Sequence, residues 1–110
     1  MAFDLDLAER LRARLAGTAG VSERRMFGGL AFLVNGHMAV AASGQGGLLV
    51  RCDPARTGTY VTPPHVEPMV MRGREMDGWL RVDAEAVSTA RELARWVSVG
   101  TKYASSLPPK

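Results

Sequence analysis

One cysteine and two histidines are the residues of this sequence best suited to nucleophilic or metal chemistry. Cys52 directly precedes Asp53-Pro54, a pair typical of a helix start, and a thiol pKa falls at a helix N-terminus. However, the carboxylate of Asp53 disfavours the thiolate, and cysteine is among the residues most often buried. We therefore expect Cys52 to be an ordinary core residue. A small enzyme that uses a cleft near Cys52 and His65 is a residual alternative.

The histidines do not form a metal-ligand pattern with the cysteine. Zinc and iron sites usually need three or four ligands at regular spacing, whereas His37, Cys52 and His65 are scattered along the chain. We expect no metal and no other cofactor.

Two glycine clusters raise the question of a phosphate-binding loop. Gly28-Gly29 and the segment 44–47 both lead into predicted strands, and neither matches the GxxxxGK[ST] or GxGxxG pattern. The sequence favours a bulge or a close backbone approach at the first cluster and a turn at the second. Since no serine lies in a GxSxG motif either, we predict that the protein is not an enzyme.

The remaining candidates for binding are basic residues. Arg24 and Arg25 precede a predicted strand, and Arg91, Arg95 and Lys102 share one side of the last predicted helix. Such a stripe is usually a solvated face, but it can also meet a phosphate backbone or an acidic protein surface. The chain has 14 Lys+Arg and 11 Asp+Glu, so its net charge of +3 does not by itself predict nucleic-acid binding.

Six methionines are compatible with an adaptable binding surface. Met38, Met69 and Met71 fall inside predicted strands, and we expect most of the methionines to lie in the core.

Hydrophobic periodicity and turn residues predict the elements that position these side chains. The clearest signal is Asn35-Gly36 between two apolar runs, which is typical of a type I′ hairpin. Pro68 is expected in a loop. The predicted elements are a helix over 3–16, strands over 30–34, 37–42 and 48–52, a short helix from Pro54 to about Gly58, strands over 69–72 and 79–82, and a last helix with a capping box at Thr89–Glu92.

This order, α-β-β-β-α-β-β-α, predicts a single α+β domain over residues 1–110 with a mainly antiparallel five-stranded sheet. The acidic N-terminus is unlike a signal peptide, and no apolar stretch is long enough to span a bilayer. With one cysteine and no disulfide framework, a cytoplasmic location is expected.

The segment 25–32, followed by Asn35-Gly36-His37-Met38, resembles the signature of the TfoX/Sxy N-terminal domain family. The resemblance covers almost the whole chain and extends to Leu49-Val50-Arg51, Met69 to Gly73, Met76-Asp77-Gly78-Trp79 and Leu93 to Val97. We expect the motif residues to be mainly structural: Met26, Phe27, Gly28, Gly29, Asn35, Gly36, Gly78 and Trp79.

The resemblance implies an antiparallel sheet with packed helices and no catalytic residue. Members that give the family its name regulate natural competence for DNA uptake, as co-activators of transcription. The similarity is to stand-alone members, which lack the C-terminal helical domain of the full-length regulators. The resemblance therefore implies a regulatory module that binds another protein, and the alternative is a nucleic-acid-associated accessory protein that uses its basic residues. An exposed edge strand would also allow two copies to pair as a homodimer.

Overall fold

The protein's structure, a computed structural model, describes residues 3–26 and 28–109. Phe27, one of the motif residues, lies outside the described residues. The helices are α1 (Leu5–Leu15), α2 (Thr57–Tyr60) and α3 (Ala90–Ser106), with short 3-10 segments at Pro54–Arg56 and Ala84–Val87. The strands are β1 (Val21–Met26), β2 (Gly29–Val34), β3 (His37–Ala42), β4 (Leu48–Arg51), β5 (Val66–Met71) and β6 (Arg74–Val82). None of the described helices has the length and apolar character needed to cross a membrane.

The six strands form one open antiparallel sheet in the order β1-β2-β3-β4-β6-β5. The α+β class and the antiparallel sheet are confirmed, but the predicted count of five strands is wrong because the sequence pattern does not reveal β1. The four middle residues of this edge strand, Ser-Glu-Arg-Arg, are all exposed. A strand of this kind lacks the apolar alternation on which strand prediction depends.

The hairpin of β5 and β6 is longer than the sequence predicts. Its turn lies at Arg72-Gly73, where the φ angles are 54° and 77°, and residues 74–78, which fall between the predicted strands over 69–72 and 79–82, belong to β6. Gly78 instead lies inside β6 with a φ of 87°, where the pairing with β5 is irregular. Pro68 lies within β5 and not in a loop. Proline is tolerated there because β5 is an edge strand.

The predicted hairpin at Asn35-Gly36 is confirmed. Asn35 and Gly36 have φ angles of 53° and 86°, and the flanking residues Val34 and His37 are paired. Two consecutive positive φ angles are the signature of a type I′ turn, whose twist matches the strands that it joins.

Helix α1 begins at the N-cap Asp4, whose side chain accepts hydrogen bonds from the backbone N–H groups of Asp6 and Leu7 at 2.9 and 3.2 Å. Arg12 joins this helix to β1 through two hydrogen bonds to the carboxylate of Glu23, at 2.7 and 2.8 Å. The guanidinium lowers the pKa of Glu23. The predicted apolar stripe is the buried one: Leu7, Ala8, Leu11 and Leu15.

Helices α1 and α3 cover only one face of the sheet. Their apolar stripes and alternate residues of the strands form the main core, with Phe32 and Trp96 among its largest side chains. The opposite side of the sheet, called here the helix-free face, carries a second cluster to which no described helix contributes a side chain. That cluster consists of Ala31, Leu33, Met38, Ala41 and Leu49, with Met26, Met69 and Trp79 packed against it.

The two glycine clusters meet where the start of β2 passes the end of β3. A β-carbon on Gly29 would collide with the carbonyl oxygen of Ala42, and one on Gly44 would lie 2.7 Å from the carbonyl oxygen of Gly28. The predicted close backbone approach at Gly28-Gly29 is therefore confirmed, and it explains why side chains are absent there.

Replacement of Gly29 by alanine is expected to destabilise the fold, because backbone atoms cannot move aside as a flexible side chain can. We expect Gly29→Ala to lower the free energy of unfolding by about 1–3 kcal/mol in urea titrations followed by circular dichroism. Gly58→Ala is the matched control, because its β-carbon would meet open space. An equal effect of the two substitutions would contradict the close approach.

Candidate interaction surface

Methionines dominate the outer half of the helix-free face. Met38 is buried at 9 % exposure, whereas Met69, Met71 and Met76 are half-buried. The prediction that most methionines lie in the core is thus correct for Met38, but Met69 and Met71 are not fully enclosed. The reason is that prediction from a strand pattern assumes a covering layer, and no described helix covers this face.

A cavity of about 210 Å³ opens between these side chains. We call it the methionine cavity; it is lined by Met38, Leu49, Met69, Met71, Met76 and Trp79. The pairing of β5 with β6 puts Met69 directly opposite Met76, which brings their side chains together on one face. The sequence analysis did not predict this cavity. The sequence feature that indicates it is Met69-x-Met71, followed by a tight turn and Met76.

Trp79 forms one wall of the methionine cavity and is held in place by Arg51. The Arg51 guanidinium carbon lies 5.4 Å from the ring centroid of Trp79 and 5.4 Å from that of Tyr103 in α3. A cation between two aromatic rings is attracted by both. This arrangement ties one end of the helix-free face to the C-terminal half of α3.

A wider groove of about 760 Å³ continues from the methionine cavity, with which it shares Leu49, Met69 and Met71. It extends past Arg81 to the turn between β3 and β4. The Arg81 guanidinium donates hydrogen bonds to the hydroxyl of Ser43 and the carbonyl of Gly46, both at 3.2 Å, which fixes this wall. The groove and the cavity together form a continuous depression on the helix-free face.

The far end of the groove carries an exposed ion pair between His65 and Asp83, with 2.7 Å between Nδ1 and Oδ2. The bond to Asp83 and its negative charge raise the pKa of His65 above its ordinary value of 6.5, and the same bond lowers the pKa of Asp83.

The donor atoms of His65, Asp83 and Glu85 lie within 4.8 Å of one another, so that these residues are the nearest approach to a metal-ligand set in the described part of the chain. Both carboxylate oxygens of Asp83 already have partners. One pairs with His65, and the other accepts a hydrogen bond from the backbone N–H of Ala86 at 3.1 Å. These contacts account for the cluster as a helical cap with a surface ion pair, and the expectation of no metal and no cofactor stays a prediction.

The five predicted basic surface residues do not form one surface. Arg24 pairs with Ala31 and therefore lies on the helix-free face, whereas Arg25 pairs with Leu30 on the helix-covered face. The Arg25 guanidinium carbon lies 5.6 Å from the ring centroid of Phe3. The other three residues are exposed on α3, on the opposite side of the sheet from Arg24: Arg91, Arg95 and Lys102.

Cys52 is a buried structural residue at 1 % exposure. Burial raises the pKa of its thiol, and the nearby charge of Asp53 adds to the rise. The backbone N–H of Cys52 donates to the carbonyl of Gly78 at 2.9 Å, and the N–H of Gly78 donates to the hydroxyl of Thr57 at 2.7 Å. Cys52 belongs to the main core and does not line the groove that contains His65, so the structure does not bring the two residues into one site.

Both edges of the sheet are protected against pairing with another chain. The outer edge at β1 carries charged residues, among them Glu23 and Arg24. At β5, the backbone of Val66 exchanges two hydrogen bonds with Thr62, and Pro68 has no N–H to donate. Such features disfavour edge-to-edge association, and the pairing of two copies through an edge strand stays a prediction.

The family model of the TfoX N-terminal domain matches residues 13–104, which include the motif residues and the whole methionine cavity. The chain belongs to the TfoX N-terminal domain family. No curated protein and no solved structure gives a significant match. In this TfoX N-terminal domain the glycines and the Asn35-Gly36 turn of the motif have structural roles, while Trp79 faces a cavity.

The burial of Cys52 predicts low thiol reactivity. We expect Ellman's reagent to label native protein far more slowly than protein unfolded in guanidinium, because the thiol is enclosed and its pKa is raised. Rapid stoichiometric labelling of the native protein would contradict this assignment and support the enzyme alternative.

The His65–Asp83 pair predicts a pH-dependent contribution to stability. Since the pKa of His65 is higher in the folded state, this contribution is complete below pH 6.5 and is lost as the pH rises through the folded pKa. At the acid end it is lost as the pH falls through the lowered pKa of Asp83. Asp83→Asn keeps the cap and is expected to bring the His65 pKa back towards 6.5 in an NMR titration.

Glu85→Gln is the matched control for this titration. Glu85 raises the His65 pKa only through its charge, so we expect a smaller decrease than with Asp83→Asn. A wild-type His65 that titrates at or below 6.5 would show that the ion pair does not form in solution.

Proposed function

We propose that this TfoX N-terminal domain is a non-enzymatic regulatory module that binds another protein through the methionine cavity and the adjoining groove. The observation that carries the proposal is an apolar cavity on a sheet face that no described helix covers. Apolar recesses bordered by polar residues are typical of interaction sites.

The size of the methionine cavity favours a protein side chain as its occupant. The adjoining groove, at about 760 Å³, lies within the roughly 300–1,000 Å³ of cavities that hold cofactors or drug-sized ligands, whereas the methionine cavity itself measures only about 210 Å³. It therefore has room for one large apolar side chain. Such an anchor residue commonly supplies much of the binding energy of a protein interface.

The chemistry of the cavity wall also supports this role. Methionine side chains have three rotatable bonds and a polarisable sulfur, so they adapt to apolar groups of different shape. Trp79 adds a flat wall held by Arg51, and the groove beside the cavity has space for the polypeptide on either side of the anchor. Its polar groups, Glu67 and Arg81 among them, can select the flanking residues.

The regulatory part of the proposal is supported by the family. Members that give the family its name are regulators of natural competence, and a regulator without chemistry of its own acts through a partner. The enclosed thiol of Cys52 and its separation from His65 agree with a non-enzymatic role.

Nucleic-acid binding is the second candidate function, and the exposed stripe of Arg91, Arg95 and Lys102 on α3 favours it. Three cations along one helix can contact a phosphate backbone, and such binding weakens steeply as salt is added. Because this stripe and the methionine cavity lie on opposite sides of the sheet, variants can test the two functions separately.

Charge placed in the cavity is expected to weaken protein binding strongly. We expect a partner retained from native lysate by the wild type to be lost by the Met71→Lys/Met76→Lys variant, because a buried ammonium without a partner is costly. The affinity for the recovered partner should fall by about tenfold or more, measured by calorimetry. Leu5→Lys is the matched control, since Leu5 is an apolar residue at 60 % exposure that lines neither the methionine cavity nor the groove.

An Arg91→Glu/Arg95→Glu variant completes the experiment. It should retain the protein partner. In DNA or RNA titrations at low salt, we expect no binding by the wild type that is lost in this variant. Capture that is equal for all variants would contradict the role of the cavity, and salt-dependent nucleic-acid binding lost on charge reversal would favour the second candidate.

A further inference from the structure

Four of the six side chains that line the methionine cavity end in thioethers. Met69 and Met76 lie directly opposite each other, where cross-strand β-carbons are about 4.5–5.5 Å apart. Met71 follows Met69 by two residues on the same face of β5, about 7 Å along the strand. Met38 reaches the cavity from β3. Three of the four sulfur donors thus belong to neighbouring positions of a single hairpin.

We propose that the methionine cavity binds one soft monovalent metal ion, Cu(I) or Ag(I), through the thioethers of Met69, Met71 and Met76, with Met38 as a fourth donor. Thioether sulfur is a soft, neutral ligand and selects Cu(I) over hard cations such as Mg²⁺ and Ca²⁺. The donor set contains no oxygen, which those cations require, and none of the thiolate, imidazole or carboxylate ligands that bind Zn²⁺.

The electrostatics of the cavity favour a monovalent ion over a divalent one. None of its six lining side chains carries a charge, so nothing in the wall neutralises a bound cation. The free energy of desolvating an ion rises with the square of its charge, which makes a divalent ion much more costly here. Arg51, stacked on Trp79, repels a divalent ion twice as strongly as a monovalent one.

The methionine side chains are also accessible to an ion and flexible enough to rearrange around it. Met69, Met71 and Met76 are half-buried, so an ion can reach their sulfur atoms from solvent. Their flexible side chains can rotate to give the coordination geometry that a metal ion requires. Ligand identity and an entry path are both properties that a metal site must have.

This inference does not rest on the proposed protein-binding function, although both use the same cavity. Leucine in place of methionine preserves the apolar volume and removes the sulfur. Such a substitution therefore removes the metal ligands, and because ion binding and partner capture are measured separately, the two proposals can fail independently.

The test compares the wild type with a Met69→Leu/Met76→Leu variant in anaerobic titrations. Cu(I) is added in competition with a chromophoric Cu(I) chelator, and Ag(I) binding is followed by calorimetry. We expect one ion per wild-type chain and an affinity lowered by about tenfold or more in the variant, since even loss of an outer-shell partner costs 10–100-fold. Circular dichroism confirms that the variant is folded.

Three single variants are the controls. Met26→Leu removes a methionine that packs on the same face but does not line the cavity. Cys52→Ala and His65→Gln remove two other residues with affinity for such ions. Binding that is kept in all three controls and weakened in the double variant supports the proposal. No binding by the wild type, full binding by the double variant, or loss of binding in any control would overturn it.

Discussion

A six-stranded sheet has two faces to shield from water, and the described helices of this domain cover only one of them. The other face is shielded by its own side chains, because small residues such as Ala31 and Ala41 cluster there with larger ones such as Leu33 and Leu49. Each enclosed Leu or Met side chain contributes roughly 1.5–3 kcal/mol through the hydrophobic effect, so this arrangement contributes to stability. Long flexible side chains do not fill space as completely as a packed helix does. The methionine cavity is the result of that incomplete filling.

The sequence was most informative where a local interaction alone decides the structure. Asn35-Gly36 determines its own turn, and the Thr89–Glu92 capping box determines where α3 begins. β1 could not be predicted, because it forms through pairing with β2 and through the contact of Glu23 with Arg12. Neither interaction produces a strand pattern in the sequence of β1 itself. The hairpin of β5 and β6 was mispredicted for a different reason. Its turn requires a positive φ at Arg72, a residue type that gives no indication of this conformation.

The site was harder to predict than the fold. Arg24 and Arg25 are adjacent in sequence, but consecutive strand residues point to opposite faces, and only the position of β1 in the sheet separates them. The methionines are evident in the sequence. A methionine in a strand is nevertheless predicted to be a core residue, because the sequence does not show that no helix covers that face. Whether a face is covered depends on the whole topology. It follows that the composition of this surface was readable from the sequence, while its exposure was not.

The positions of the two tryptophans have a practical consequence. Trp96 lies in the main core at 3 % exposure, with its ring centroid 6.0 Å from that of Tyr60, and is shielded from anything bound on the other face. Trp79 forms the wall of the methionine cavity and is half-buried. Indole emission shifts to shorter wavelength when water is displaced and is quenched by nearby heavy atoms. The domain therefore carries its own optical probe at the cavity, with a second fluorophore that serves as an internal reference.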